Sequence, residues 1–135
     1  MLGWPETLER LTALTTGLHV LALLYIGLGG FLAWWVPRSI VVHVGFAAWG
    51  VAVTLLPLTC PLTAVEDFLR ELRGLGPLPG GFNEHYLYDT VVPRELLPAV
   101  GVAALVLVAT SYAGCHARAR ARRDTAVSRP STMAE

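Results

Sequence analysis

The chain has 135 residues, enough for one domain rather than two. Hydrophobic residues make up 54% and charged residues 15%, against about a quarter charged in an ordinary soluble domain. A 14.5 kDa chain with a mean hydropathy of +0.55 cannot hide that much apolar surface in one core, which excludes a soluble domain and implies an all-α membrane protein. The formal net charge is zero, and nucleic acid is not expected as a partner.

The leader MLGWPETLER carries Glu6 and Glu9 against Arg10 alone. The apolar stretch that follows, Leu11 to Val36, contains His19 as its only ionisable side chain apart from Tyr25. It is longer than the roughly 7–15 residues of a signal-peptide core and no A-x-A site follows it, so it reads as a span that is not cleaved. Leu2 stands where N-myristoylation needs glycine. A second stretch, Ser39 to Thr59, contains His43, and a third, Leu96 to Cys115, contains no charge. Each reaches the roughly 20 apolar residues that a crossing requires, and within lipid each must be a helix to satisfy its own amides. Three spans are predicted, 11–36, 39–59 and 96–115, in one helical membrane domain, 1–115.

The long segment 60–95 has features of its own. Pro61 is expected to end the second span. Thr63 and Glu66 match a capping box. Ala64, Val65, Phe68, Leu69 and Leu72 then recur at helical spacing, opposite Glu66, Asp67, Arg70, Glu71 and Arg73, which predicts an amphipathic helix lying in the membrane interface. Gly74, Gly76, Pro77, Pro79, Gly80 and Gly81 make a turn-rich loop. Phe82 to Asp89 can form about two helical turns, with Asn83 as N-cap. The tail, 116–135, has no apolar period and reads as disordered, basic and cytoplasmic.

Charge sets the orientation. Arg118, Arg120, Arg122 and Arg123 follow the third span, and Arg38 lies between the first two. The segment 60–95 sets Arg70, Arg73 and Arg94 against Glu66, Asp67, Glu71, Glu84, Asp89 and Glu95. The positive-inside rule puts the tail and Arg38 in the cytoplasm, and the N-terminus and 60–95 outside. Trp34 and Trp35 fit the inner aromatic belt and Trp4 the outer one. Cys60 and Cys115 then lie about 30 Å apart across the bilayer, so no bridge is expected between them. Gly29/Ala33, Ala48/Ala52, Ala99/Ala103 and Ala109/Ala113 are small-residue pairs of the kind found in a bundle or a homo-oligomer.

Depth decides which polar groups can meet. His19 is about 12 Å below Leu11 and His43 about 6 Å above Ser39 at the helical rise of 1.5 Å per residue, which argues against a haem ligated by both. If segment 60–95 folds down onto the bundle, His19, Cys60, Glu66, Glu84 and His85 line one polar pocket at the outer face. Two imidazoles with carboxylates suit Zn, Fe (as ion or haem) or Cu, with His19, Glu84 and His85 as ligands, and a thiolate biases such a site toward Zn or Cu(I). Without metal, Glu84 and His85 could serve as a base and acid pair. Plainer readings stand beside these. Glu66 caps a helix, Cys60 is a small buried side chain, and His43 sits in the wet inner interface. Glu84 and His85 brace a loop, and His19 bonds a neighbouring helix. HExxH, CxxC and GxSxG are absent, so an enzymatic activity is neither assigned nor excluded.

Cys60-Pro61-Leu62-Thr63 with Glu66, followed by Gly80-Gly81-Phe82-x-Glu84-His85-Tyr86, resembles a bacterial family of small integral membrane proteins designated domain of unknown function 2784. Leu18-His19, Gly29-Gly30, and His43 followed by Trp49-Gly50 extend the resemblance over roughly residues 8–115. The family pattern has Gly-Trp where this chain has Pro57-Leu58, Asn at Asp67 and an aliphatic at Asn83, departures that fall on the rim of the pocket. The resemblance implies an inner-membrane protein and supplies no chemistry. The expected role is a non-enzymatic accessory or assembly protein that binds lipid or a membrane-protein partner through its outer segment. The alternative is a metal- or haem-binding protein, redox or enzymatic, built on His19, Glu84 and His85. A transporter fits less well, because no inverted repeat or broken helix is evident.

Overall fold

Proline placement explains where the helices begin and stop. The computed structural model describes residues 3–128. Helix α1, Trp4–Leu32, starts before the predicted span because Pro5 lies in its first turn, where a missing N–H costs nothing. It ends in a turn ahead of Pro37. Helix α2, Ser39–Leu55, stops short of Thr59, and the residue responsible is Pro57 rather than Pro61. Leu56, just before that proline, takes the extended φ of −112° and ψ of 153° that a following proline favours.

Helix α3, Pro61–Leu72, has Pro61 in its first turn and Cys60 as N-cap. Thr63 therefore falls too late to cap, and the expected capping box does not form. Helix α4, Leu97–Val127, is entered through a tight turn at Arg94–Leu96. It runs well past Cys115, carrying residues 116–127 of the expected irregular tail as helix. The alternating Ala and Arg there are among the strongest helix formers. Residues 129–135 of that tail lie outside the described residues. Between α3 and α4 the expected two turns shrink to a single wide turn, Asn83–Leu87, closed by a Tyr88 N–H to Asn83 carbonyl bond of 2.9 Å. Among the described residues there is no strand, only an isolated bridge between Tyr88 and Val92.

Helices α1 and α4 are long and apolar enough to cross a bilayer, whereas α2 is apolar but has only 17 residues. Helix α1 is the hub, because α2, α3 and α4 each pack against it. Its N-terminal half turns Leu8, Thr12, Thr15 and His19 toward α3 and the loop, and its C-terminal half turns Gly29 and Gly30 toward α2 and α4. At Gly30 an added Cβ would land on Ser111 Oγ, so only glycine allows α1 and α4 this close.

Polarity is inverted relative to a soluble domain. The buried side chains include Thr12, Thr15, His19, His43, Thr63, Glu66 and Ser111, while Leu14, Leu21, Val41, Val102 and Leu105 face outward. Soluble proteins bury such aliphatics and expose such polar groups. Aliphatic side chains facing outward and polar ones turned inward is the arrangement that lipid favours.

Candidate functional site

The N-terminal half of α1 carries a polar stripe at helical spacing, and α3 with the loop closes over it. Thr12 and Thr15 return their hydroxyls to the carbonyls of Leu8 and Leu11, at 2.8 and 2.9 Å, which leaves neither needing an outside partner. The Thr16 hydroxyl is shared between Thr12 O at 3.0 Å and Glu66 Oε1 at 2.9 Å. It has only one proton for the two acceptors. Tyr86 supplies the full donor, its hydroxyl reaching Glu66 Oε1 at 2.8 Å. Glu66 is completely buried, a role unlike the helix cap its sequence context suggests. Burial and then the bond to Glu66 push the Tyr86 phenol above its ordinary pKa.

One turn further into the bundle, the His19 imidazole stacks on Phe82, with ring centroids 3.8 Å apart and planes inclined by 19°. Phe82 is placed by the Gly80-Gly81 turn, where φ values of 72° and 84° are ones that L side chains rarely adopt. The turn is itself tied to α3, since the Leu78 N–H donates to Asp67 Oδ1 at 2.7 Å and Arg70 Nε donates to the Gly76 carbonyl at 3.1 Å. Asp67 and Arg70, expected on a solvated face, instead hold the loop. Val65, Phe68 and Leu72 form the exposed apolar side of α3.

His19 and Cys60 both line a cleft of about 750 Å³ between α1, the outer end of α2, the start of α3 and the Gly80-Gly81 turn. Apolar walls come from Ile26, Phe46, Trp49 and Leu58, and polar groups from Thr54, Thr63, Asp67 and Asn83. Glu66 is not on the cleft wall but lies within electrostatic reach of His19. Two buried atoms here have no protein partner, His19 Nδ1 and Glu66 Oε2.

The remaining two members of the expected pocket lie elsewhere. Glu84 pairs with Arg94, which also binds Asp89 through Nε at 2.6 Å. That clasp lowers the Asp89 pKa, chiefly through the hydrogen bond from Arg94. His85 is exposed and meets only the edge of Tyr86, at 4.7 Å between centroids. Among the described residues no three of His, Cys, Asp and Glu gather as a metal-ligand group. Glu84 is engaged by Arg94, at the turn that leads into α4.

A second polar centre lies at the other end of the bundle, where the C-terminal half of α1 meets α2 and α4. His43 is fully buried, not in a wet interface. Its Nε2 lies 3.0 Å from the Ile26 carbonyl and its Nδ1 3.0 Å from the Tyr112 hydroxyl. A carbonyl only accepts, so Nε2 carries the proton and Tyr112 donates to Nδ1. Trp34, expected in the aromatic belt, donates from Nε1 to the Ser111 carbonyl at 2.9 Å. Sequence reading missed Thr16, Phe82 and Tyr86 at the outer centre and Tyr112 and Ser111 at the inner one. The recurrence of Thr12, Thr15, Thr16 and His19 every three or four residues was the available signal for the first.

Comparisons add a family and no activity. No curated protein and no solved structure matches the chain. The model of a family described as a protein of unknown function, DUF2784, matches residues 9–117, a stretch that takes in most of α1, all of α2 and α3, and both polar centres. The chain belongs to the DUF2784 family.

Proposed function

We propose that this chain is a non-enzymatic lipid-binding protein of the bacterial inner membrane, with α1, α2 and α4 as spans and the N-terminus and residues 60–95 outside. Two long apolar helices and the outward-facing aliphatics support the membrane placement. Helix α2, 17 residues, reaches about 26 Å, close to a hydrocarbon core of about 30 Å. The concentration of arginine beyond α4 supports the orientation.

The observation that carries the binding assignment is a cleft of about 750 Å³ with largely apolar walls and a few polar side chains, Thr54, Thr63 and Asn83 among them. Such a lining fits an occupant that brings a hydrogen-bonding head and an apolar tail. Asp67 on the wall and Glu66 behind it disfavour an anionic head, leaving a neutral or cationic one such as a hydroxyl or amine. In this reading the protein holds or presents a lipid-like molecule at the outer leaflet, as an accessory to another membrane process.

Cys60 provides the test, because it lines the same cleft and Cys115→Ser leaves it as the only thiol. With an occupant present, alkylation of Cys60 by a small maleimide is expected to be slow, and exhaustive delipidation in detergent to accelerate it. In Ala22→Phe, which fills the cleft, delipidation should no longer change the rate. Equal rates before and after delipidation of the wild-type cleft would count against an occupant.

A further inference from the structure

The opposite end of the bundle has a second concave surface with the reverse charge. A groove of about 370 Å³ opens between the turn joining α1 to α2 and the inner half of α4. Trp34, Ile40, Val44 and Tyr112 form its walls, and Arg118 and Arg122, one helical turn apart on α4, stand in its lining. A groove of this size is within the range of small-ligand sites, about 300–1,000 Å³.

Its charge is uncompensated. No carboxylate occurs between Glu9 and Glu66, or between Glu95 and Asp124, so neither wall contributes one. The ion pairs among the described residues are the two made by Arg94, far along the chain in the outer segment. Arg118 is also held in place. Its guanidinium lies 4.4 Å from the Trp34 ring centroid, and Nη1 donates to the Trp34 carbonyl at 3.3 Å. One of five guanidinium N–H groups is thereby used, and the others stay free for an acceptor.

We infer that this groove binds an anionic phospholipid, the phosphate held by Arg118 and Arg122 and an acyl chain lying along Ile40 and Val44. Guanidinium groups match phosphate oxygens in geometry as well as charge. The apolar wall continuous with the two arginines fits an amphiphile better than a free anion. Basic recesses between helices at the membrane surface suit this class of headgroup. This site is independent of the outer cleft, with opposite charge preference and no shared residue.

The test is native mass spectrometry of the full chain in detergent micelles carrying equal phosphatidylglycerol and phosphatidylcholine. The wild type is expected to retain phosphatidylglycerol selectively. Arg118→Gln with Arg122→Gln should lower that retention about thirtyfold. Arg120→Gln with Arg123→Gln, the same change in net charge outside the groove, should leave it near the wild-type level. Arg122→Gln alone, which breaks no contact to Trp34, should give a loss of about fivefold. Equal losses in the two double variants would mean diffuse surface attraction and overturn the groove. Equal retention of both lipids by the wild type would overturn it as well, as would an Arg122→Gln variant indistinguishable from wild type. Ala22→Phe at the outer cleft should not alter phosphatidylglycerol retention, which separates this test from that of the outer site.

Discussion

The Tyr86 hydroxyl bonds Glu66 Oε1 at 2.8 Å across a separation of twenty residues, and with the Asp67 and Arg70 bonds it fixes the loop to α3. Removing it leaves a fully buried carboxyl group with only the shared proton of Thr16. Tyr86→Phe is therefore expected to lower stability by about 1–3 kcal/mol, the usual cost of stranding a buried polar partner. Thr16→Val should cost less, because the Thr16 proton already divides between Glu66 and the Thr12 carbonyl. Reversible unfolding in mixed micelles would measure both, and a larger loss for Thr16→Val would reverse the assigned donor roles.

The same contact gives the loop an alkaline limit. Burial first, then the hydrogen bond to Glu66, raises the Tyr86 pKa in the folded state. A raised folded value stabilises fully below the unfolded pKa, about 10, and that contribution is lost as pH rises through the folded value. Stability at neutral pH is then insensitive to Tyr86 ionisation. The tyrosinate absorbance that Tyr86→Phe removes should appear at higher pH than that of a free tyrosine. Titration at or below the free value would contradict the buried bond.

His43 joins three helices through two hydrogen bonds, to Ile26 on its α1 side and Tyr112 on its α4 side. His43→Phe keeps an aromatic ring beside Tyr25 but leaves the Tyr112 hydroxyl unpaired, an expected loss of about 1–3 kcal/mol. Tyr112→Phe strands Nδ1 instead. Because each single change removes the same bond, the double variant should cost less than the sum. Additive losses would mean that the pair is not coupled.

Gly30 decides how near α4 comes to α1. Gly30→Ala adds a methyl on top of Ser111 Oγ, and overpacking of this kind costs about 1–3 kcal/mol. Alanine's better helix propensity offsets about 1 kcal/mol of that. A net loss is expected, largely recovered by adding Ser111→Gly, and read out by the same unfolding measurement. A stabilised Gly30→Ala would show that the two helices are not in close contact there.

The helices were legible because apolar runs and prolines act locally. The early start at Trp4 and the early stop at Leu55 both follow from proline rules that the sequence contains. The candidate pocket was legible only in part. His19 and Cys60 line one cleft, Cys60 as the N-cap of α3. Glu84 pairs with Arg94, ten residues on, a partner that sequence distance does not reveal. Glu66 matched a capping pattern, yet Pro61 had already set the N-cap at Cys60 and left Glu66 free to turn inward. Tertiary pairs such as Tyr86 with Glu66 and Trp34 with Ser111 join distant segments, and no local pattern announces them.

The most direct measurement is lipid analysis by mass spectrometry of an organic extract from full-length protein purified in mild detergent, wild type beside Ala22→Phe. The cleft reading expects about one equivalent of an amphiphile with a neutral or cationic head in the wild type, lost from a folded Ala22→Phe protein. Wild-type protein without such a molecule, or equal amounts in both proteins, would contradict a ligand held in the cleft.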